Sequence, residues 1–215
     1  MTRTSEASVT TKAPRRTHAE RREEAEQRLL EAALNIVARR GSVRMTLAEV
    51  GEAAGYSRGL ASARFGNKAG LVHALVGHIG RRFGEQLAQG PAIEPGLSAI
   101  LGNIHVYFSR KGGRWTSTRA LLVMMTEGCM EPHAGLRQEV AAYNRQVLAW
   151  FEEHLRIGIA KGEIAPATDA AATAVVLLGA LRGVMLQWLV DERIKLPAAR
   201  DQLLQMAEAL LRPRR

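Results

Sequence analysis

Three features of this sequence predict an all-α protein. Apolar residues recur at three- and four-residue spacing through most of the 215-residue chain. No segment carries a convincing alternating pattern of the kind a half-buried strand needs. Apolar residues make up 47% of the chain and aromatics only 5%, which gives the aliphatic core common in helix-rich proteins. About nine helices are expected, with no internal repeat.

Residues 1 to 17 are rich in Thr, Ser, Ala and Arg and are expected to form a flexible arm. From about Ala19 to Arg40, Ala25, Leu29, Ala32, Ala33, Ile36 and Val37 share a helical face that Gly41 ends. Thr46-Leu-Ala-Glu49 has the form of a capping box and opens a short helix to about Ala53, stopped at Gly55. Ser57 is a suitable N-cap for a third helix over roughly Arg58 to Arg64. Asn67 would cap a fourth, running through Leu71, Leu75 and Ile79 to about Gln89. Two short helices joined by a Gly-containing turn, set against a preceding amphipathic helix, is the helix-turn-helix layout.

Gly90-Pro91 through Pro95-Gly96 breaks the chain and suggests a domain boundary. The expected division is an arm over 1–17, a helix-turn-helix DNA-binding domain with its linking fourth helix over 18–90, and a C-terminal helical domain over 91–215. Beyond the break, helices are expected over Leu97 to Ser109 and, after a Lys111-Gly112-Gly113 turn, over Arg114 to Met130 as far as Pro132. Leu136, Val140, Tyr143, Val147, Leu148, Phe151, Leu155 and Ile159 define one long helix that Gly162 ends. Two more occupy about Asp169 to Val190 and Pro197 to Leu211, with Pro197 suited to a first turn.

Charge is unevenly spread. The formal net charge is +9. Arg39 to Arg82 holds eight basic and two acidic residues, whereas Pro91 to Ala180 holds eight of each. A basic segment before a neutral body fits a polyanion-binding module attached to something else, although a merely solvated basic face has the same count. The N-terminus lacks the basic, apolar and small-residue succession of a secretory signal, and a single cysteine forms no internal disulfide. A cytoplasmic protein is expected, with Cys129 buried and inert on an apolar helix.

The stretch from Glu31 to Leu71, EAALNIVARRGSVRMTLAEVGEAAGYSRGLASARFGNKAGL, resembles the DNA-binding domain of TetR-family regulators. The likeness rests on a helix ending in Gly, a Thr-initiated helix, AG-x-S-R-G and F-G-x-K-x-x-L at fixed spacing. The rest of the chain is similar in helix count, in length, and in a Gly-rich apolar penultimate helix followed by W-L-x-D. This resemblance implies that the helix at Arg58 to Arg64 enters the major groove. Physical chemistry fits that placement. Ser57 and the amides beside it can meet phosphates. Arg58 and Arg64 are long enough for bidentate contacts to guanine. Thr46 and Lys68 match positions where the family clamps the DNA backbone, and Arg44 can join them. Gly59 and Ala61 keep the helix close to the groove wall, and Phe65 is expected to pack the head together. Leu60 and Ser62 depart from the family's common Thr and Tyr; they would offer a thymine-methyl contact and a short polar contact.

No sequence feature suggests catalysis. HExxH, a phosphate-cradling Gly loop and G-x-S-x-G are all missing from the sequence. His73 and His78 lie five apart, about 140° around a helix, so they would not share a metal. No enzyme, cofactor or metal is expected.

TetR-type proteins hold an effector among their middle helices. Here those helices carry His105, Tyr107, Phe108, Trp115, Met124, Met125, Tyr143, Asn144 and Trp150, candidates for a pocket or for ordinary core. Ala171 to Val190 is apolar nearly all round and long enough to cross a membrane. Arg182 near its centre would cost roughly 2.5–3.5 kcal/mol there. Gly179 and Gly183, four apart, let another helix approach closely. The expected cover is a second copy, forming a four-helix interface through Gly179, Gly183, Leu186, Leu203 and Leu210. The function expected is that of a homodimeric, ligand-responsive repressor on near-palindromic double-stranded DNA, released by an unidentified small-molecule effector and not bound to a membrane. A helical small-molecule binder without specific DNA binding is the alternative.

Overall fold

A computed structural model describes residues 17–89, 93–109, 115–130 and 134–213. The described residues form nine α-helices and no strand: α1 (His18–Arg40), α2 (Leu47–Ala53), α3 (Leu60–Phe65), α4 (Lys68–Ala88), α5 (Leu97–Phe108), α6 (Thr116–Gly128), α7 (Ala134–Ala160), α8 (Ala170–Val190) and α9 (Leu196–Leu211). The arm over 1–16, the Gly90-Pro91 break, the Lys111–Gly113 turn and the stop at Pro132 lie outside the described residues.

Helix starts follow their caps. Thr17, expected at the end of the arm, caps α1 through a complete capping box with Glu20. Thr46 accepts the Glu49 amide at 3.2 Å, but the box is only half made because the Glu49 carboxylate pairs with Arg40. Asn67 caps α4 through the Gly70 amide at 2.9 Å, and Asp169 caps α8 through Ala172 at 3.0 Å. The start of α3 differs from expectation. Ser57 is not its N-cap; Arg58 and Gly59 form a turn closed by the Leu60 amide on the Ser57 carbonyl at 3.1 Å, and no side chain caps the helix. Gly51 makes that tight path possible, since a Cβ there would lie 2.5 Å from the Ser57 carbonyl oxygen.

Two apolar clusters hold the helices together. The first joins Leu29, Leu30, Leu34, Val37, Val50, Ala61, Leu71 and Leu75 of the N-terminal helices with Met45 of the loop after α1. It does not stop at the chain break, because Ala120, Leu121 and Met124 of α6 and Val140 of α7 belong to it. The second cluster is built from α5, α7, α8 and α9, around Ile100, Ile104, Phe151, Leu155, Leu181 and Met185. Phe65 packs against the first cluster, in the role its sequence position suggests. Cys129 is exposed rather than buried: it follows the last turn of α6, where the apolar face has ended.

The outer face of α8 is left bare. Val175, Val176, Leu186 and Val190 are exposed there, as are Met206 and Leu210 on α9. Gly179 and Gly183 lie on the same outward stripe, with open space where a Cβ would stand. Leu203, expected beside them, instead points inward and is 7% exposed, in the second cluster. α8 is the one described helix long and apolar enough to cross a membrane, but its Arg182 turns into the protein and hydrogen-bonds to Asn144.

Candidate nucleic-acid interface

α2 and α3 form the helix-turn-helix, and the structure decides which side of α3 faces out. Ser57, Arg58, Gly59 and Ser62 are exposed, and Arg44 and Thr46 are exposed beside them. Leu60 and Arg64, one helical turn apart, face the other way. Leu60 packs against the head core, and Arg64 forms an ion pair with Glu26 of α1, each side chain 27% exposed. The thymine-methyl contact expected of Leu60 is therefore not offered by this conformation: the side chain's apolar surface is used in the fold. Arg64 would have to leave Glu26 before it could reach a base.

Arg58 and Lys68 are also held, more loosely. Arg58 pairs with Glu52 across the turn, with both side chains at least half exposed. Lys68 donates to the Val43 carbonyl at 2.5 Å, tying the start of α4 to the loop after α1. An exposed ion pair contributes only about 0.2–1 kcal/mol, so phosphate oxygens can displace such partners. Between the first turns of α1 and α3 lies an open cleft of about 430 Å³ bordered by His18, Arg21, Arg22 and Arg64. Arg21 and Arg22 thus join the basic surface, although the charge excess read from the sequence begins only at Arg39. The run HAERREE, with three acids to two arginines, hides them; the helix period separates the two signs onto different faces.

A cavity of about 40 Å³ lies deeper, among α4 to α8. Its apolar wall includes Ile79 and Phe83 of α4, Leu121 of α6, Phe151 of α7 and Leu178 of α8. Asn103, Tyr107, Ser117, Thr118, Tyr143 and Arg182 supply polar groups. Of the pocket residues expected from sequence, Tyr143 and Tyr107 line it. Asn144 stands behind it, accepting from Arg182. Phe108 and Trp115 are core, with Trp115 edge-on to Trp188 at 5.8 Å. Met124 and Met125 belong to the head cluster, Trp150 packs edge-on to His154 at 4.2 Å, and His105 is exposed. The sequence could rank these residues by chemistry but not by direction.

The cavity's electrostatics are unusual for this molecule. Burial lowers the Arg182 pKa, opposed by the neighbouring Tyr107 and Tyr143 hydroxyls. Burial also pushes the Tyr143 phenol up, so it remains a neutral hydrogen-bonding group. Ser117 is 2% exposed and its hydroxyl has no hydrogen-bond partner. A buried hydroxyl left in that state costs about 1–3 kcal/mol. No cluster of three metal-ligating side chains occurs among the described residues. His73 meets Glu139 of α7 at 2.8 Å while His78 meets Glu31 of α1 at 3.2 Å, on different faces of α4.

A helix-turn-helix head with an exposed basic recognition surface, mounted on a helical body, defines a DNA-binding regulator. Residues 29–75, which hold the helix-turn-helix, match the model of the family described as bacterial regulatory proteins, tetR family. Solved structures agree in fold. A TetR-family transcriptional regulator from Rhodococcus sp. superposes with TM-score 0.79 at 22% identity, over 88% of this chain and 99% of that one. A transcriptional regulator from Saccharomonospora viridis, in complex with choline, gives 0.74 at 20%, over 89% and 100%. NalD, the secondary repressor of the MexAB-OprM multidrug efflux pump in Pseudomonas aeruginosa, gives 0.69 at 20%, over 89% and 98%. Among curated proteins no sequence matches the chain.

Proposed function

We propose that this regulator is a cytoplasmic, homodimeric repressor whose DNA-binding head, residues 18–90, is released from a near-palindromic operator when a small molecule occupies the cavity of the body, residues 91–215. The observation that carries this reading is the double role of α4. Its first residue, Lys68, follows the recognition helix by two residues, and its Ile79 and Phe83 form a wall of the cavity. A ligand that favours a different seating of α4 changes the position of the heads, by no more than its differential affinity for the two states. That the S. viridis relative holds a small molecule and that NalD is a repressor support the same direction of control.

In this reading Arg58 and Ser62 meet base edges, while Arg44, Thr46, Ser57 and Lys68 hold phosphates. Arg64 and Leu60 set the angle of α3 on α1. The bare stripes of α8 and α9, through Gly179, Gly183, Leu186 and Leu210, pair with the same stripes of a second copy. Two heads then reach successive major grooves, about 34–36 Å apart. Fluorescence anisotropy on DNA from upstream of the protein's own reading frame, beside random DNA and across a salt series, tests the proposal. Preference above tenfold, about 1.4 kcal/mol, that survives moderate salt supports it. Equal, salt-labile binding to every DNA, including fragments from a genome-wide selection, overturns it.

A further inference from the structure

The positive charge in the cavity has no carboxylate partner among the described residues. Other partly buried arginines pair directly with acids, Arg64 with Glu26, Arg82 with Glu31 and Arg200 with Asp201 among them. Among the described residues Arg182 has no carboxylate within 4.0 Å; it hydrogen-bonds to the Asn144 carbonyl oxygen and has the Tyr107 and Tyr143 hydroxyls as neighbours. Its guanidinium stays charged at any physiological pH. A charge taken out of bulk water is stable only when an opposite charge or a full set of acceptors meets it. An amide oxygen and neutral phenols supply no negative charge to match a guanidinium with five donors.

The groups around it are of complementary kind. Ser117 presents a buried hydroxyl without a partner, in a residue that lines the cavity. Asn103, 4% exposed, and Thr118, 7% exposed, border the same space. A guanidinium fork takes a planar carboxylate in bidentate fashion, and hydroxyl and amide donors satisfy the remaining lone pairs. Away from Arg182 the wall is apolar, with Phe83 and Leu121 prominent. The space of about 40 Å³ holds roughly three waters as it stands, or one small planar head group and a few carbons. A second negative charge on the ligand would meet no second cation lining this space.

We propose that the effector is a small organic monocarboxylate, its carboxylate seated on Arg182 and Ser117 and its compact apolar body against Phe83 and Ile79 of α4. The inference rests on the reading of this cavity as the effector site and names the chemical class the site takes. Neutral isosteres leave the arginine unmatched, and cations meet repulsion. Recognition and response are then joined: the head group is read by α6 and α8, while the apolar body presses on the helix that carries the DNA-binding head.

The test uses the full-length protein with butyrate, hexanoate, benzoate and phenylacetate, each beside its own primary amide, followed by calorimetry and by thermal melting. At least one carboxylate is expected to bind and raise Tm, with its amide at least tenfold weaker. Arg182→Met should abolish the preference for the carboxylate. Ser117→Ala, which removes only a hydroxyl that has no partner in the unliganded protein, should weaken the carboxylate several-fold while Tm without ligand is kept or raised. The proposal is overturned if no carboxylate binds better than its amide, or if well-folded Arg182→Met and Ser117→Ala both retain the preference. DNA anisotropy on the same samples separates the two readings. Specific DNA binding with no carboxylate preference removes the ligand class and leaves the regulator. Carboxylate binding without specific DNA recognition keeps the site and removes its proposed regulatory role.

Discussion

Glu127, near the end of α6, accepts two hydrogen bonds from Ser42 in the loop after α1, from its amide at 2.9 Å and its hydroxyl at 2.5 Å. The contact joins the body to the head at a point 85 residues apart in sequence. Ser42 is 2% exposed, so its polar groups have little water to turn to. Gly41 beside it has φ +83°, and a Cβ there would lie 2.1 Å from the Glu127 carboxylate. The same loop also receives Lys68 at Val43. Head and body are thus fastened where the chain enters the helix-turn-helix.

Glu127→Ala should therefore destabilise the protein by about 1–3 kcal/mol, the cost of leaving buried donors unmatched. Gly41→Ala should be at least as harmful, because it adds an unfavourable backbone conformation to a steric clash. Urea unfolding measures both. A Glu127→Ala change within a few tenths of a kcal/mol of the parent would show that the contact does not hold the head.

Arg58 and Arg64 should behave differently in DNA binding. Arg58→Ala should cost about 1–3 kcal/mol on the preferred site and relax the sequence preference there, while Lys68→Ala weakens all sites alike and lowers the salt slope by about 1. If Arg64 positions α3 through Glu26, then Glu26→Ala should weaken specific binding as Arg64→Ala does. Stronger binding by Glu26→Ala would mean that Glu26 restrains a base-reading arginine.

Leu210 and Leu203 offer a matched pair on α9. Leu210→Glu, on the bare outer stripe, should convert a dimer to a monomer in sedimentation while helical content is retained. Leu203→Ala should cost about 2–5 kcal/mol of stability, since its side chain fills the core. A parent protein that sediments as a monomer at micromolar concentration would sink the pairing.

His78 gives stability a pH dependence. It is 5% exposed, and burial lowers its pKa below the ordinary 6.5, against the pull of Glu31 and with the help of Arg82 and Arg81. A depressed folded-state pKa means that the neutral ring is favoured by folding. The stability it contributes is present above about pH 6.5 and is lost as pH falls through the lower folded value. Tm should fall between pH 7.5 and 5.5, and His78→Gln should remove part of that fall. Identical pH profiles would assign the fall to other groups.

Local chemistry carried much of the fold. Among the described residues, nine helices, most of their ends and the caps at Thr46 and Asn67 follow from spacing and from single residues whose side chains satisfy backbone amides within the next turn. The start of α3 was not legible, because Ser57 is a good cap by composition and only the close approach of Gly51 to its carbonyl makes that residue part of a turn. Arg182 was legible only as a charge in an apolar helix; nothing in its neighbours along the chain places it on one cavity with Ser117 and Tyr143.

The sequence by itself determined the helices, the helix-turn-helix and its likeness to one family's DNA-binding segment, because these depend on interactions between residues a few positions apart and on a motif of fixed spacing. Tertiary structure decided direction. Leu60 and Arg64 turn to α1 rather than outward, Leu203 points into the core while Leu210 does not, and α6 completes the core of the head. It also set an arginine, a lone hydroxyl and an aromatic wall around one small space. Which face of a helix is covered depends on the shape and packing of partners far away in the chain, and periodicity along one helix carries no record of them.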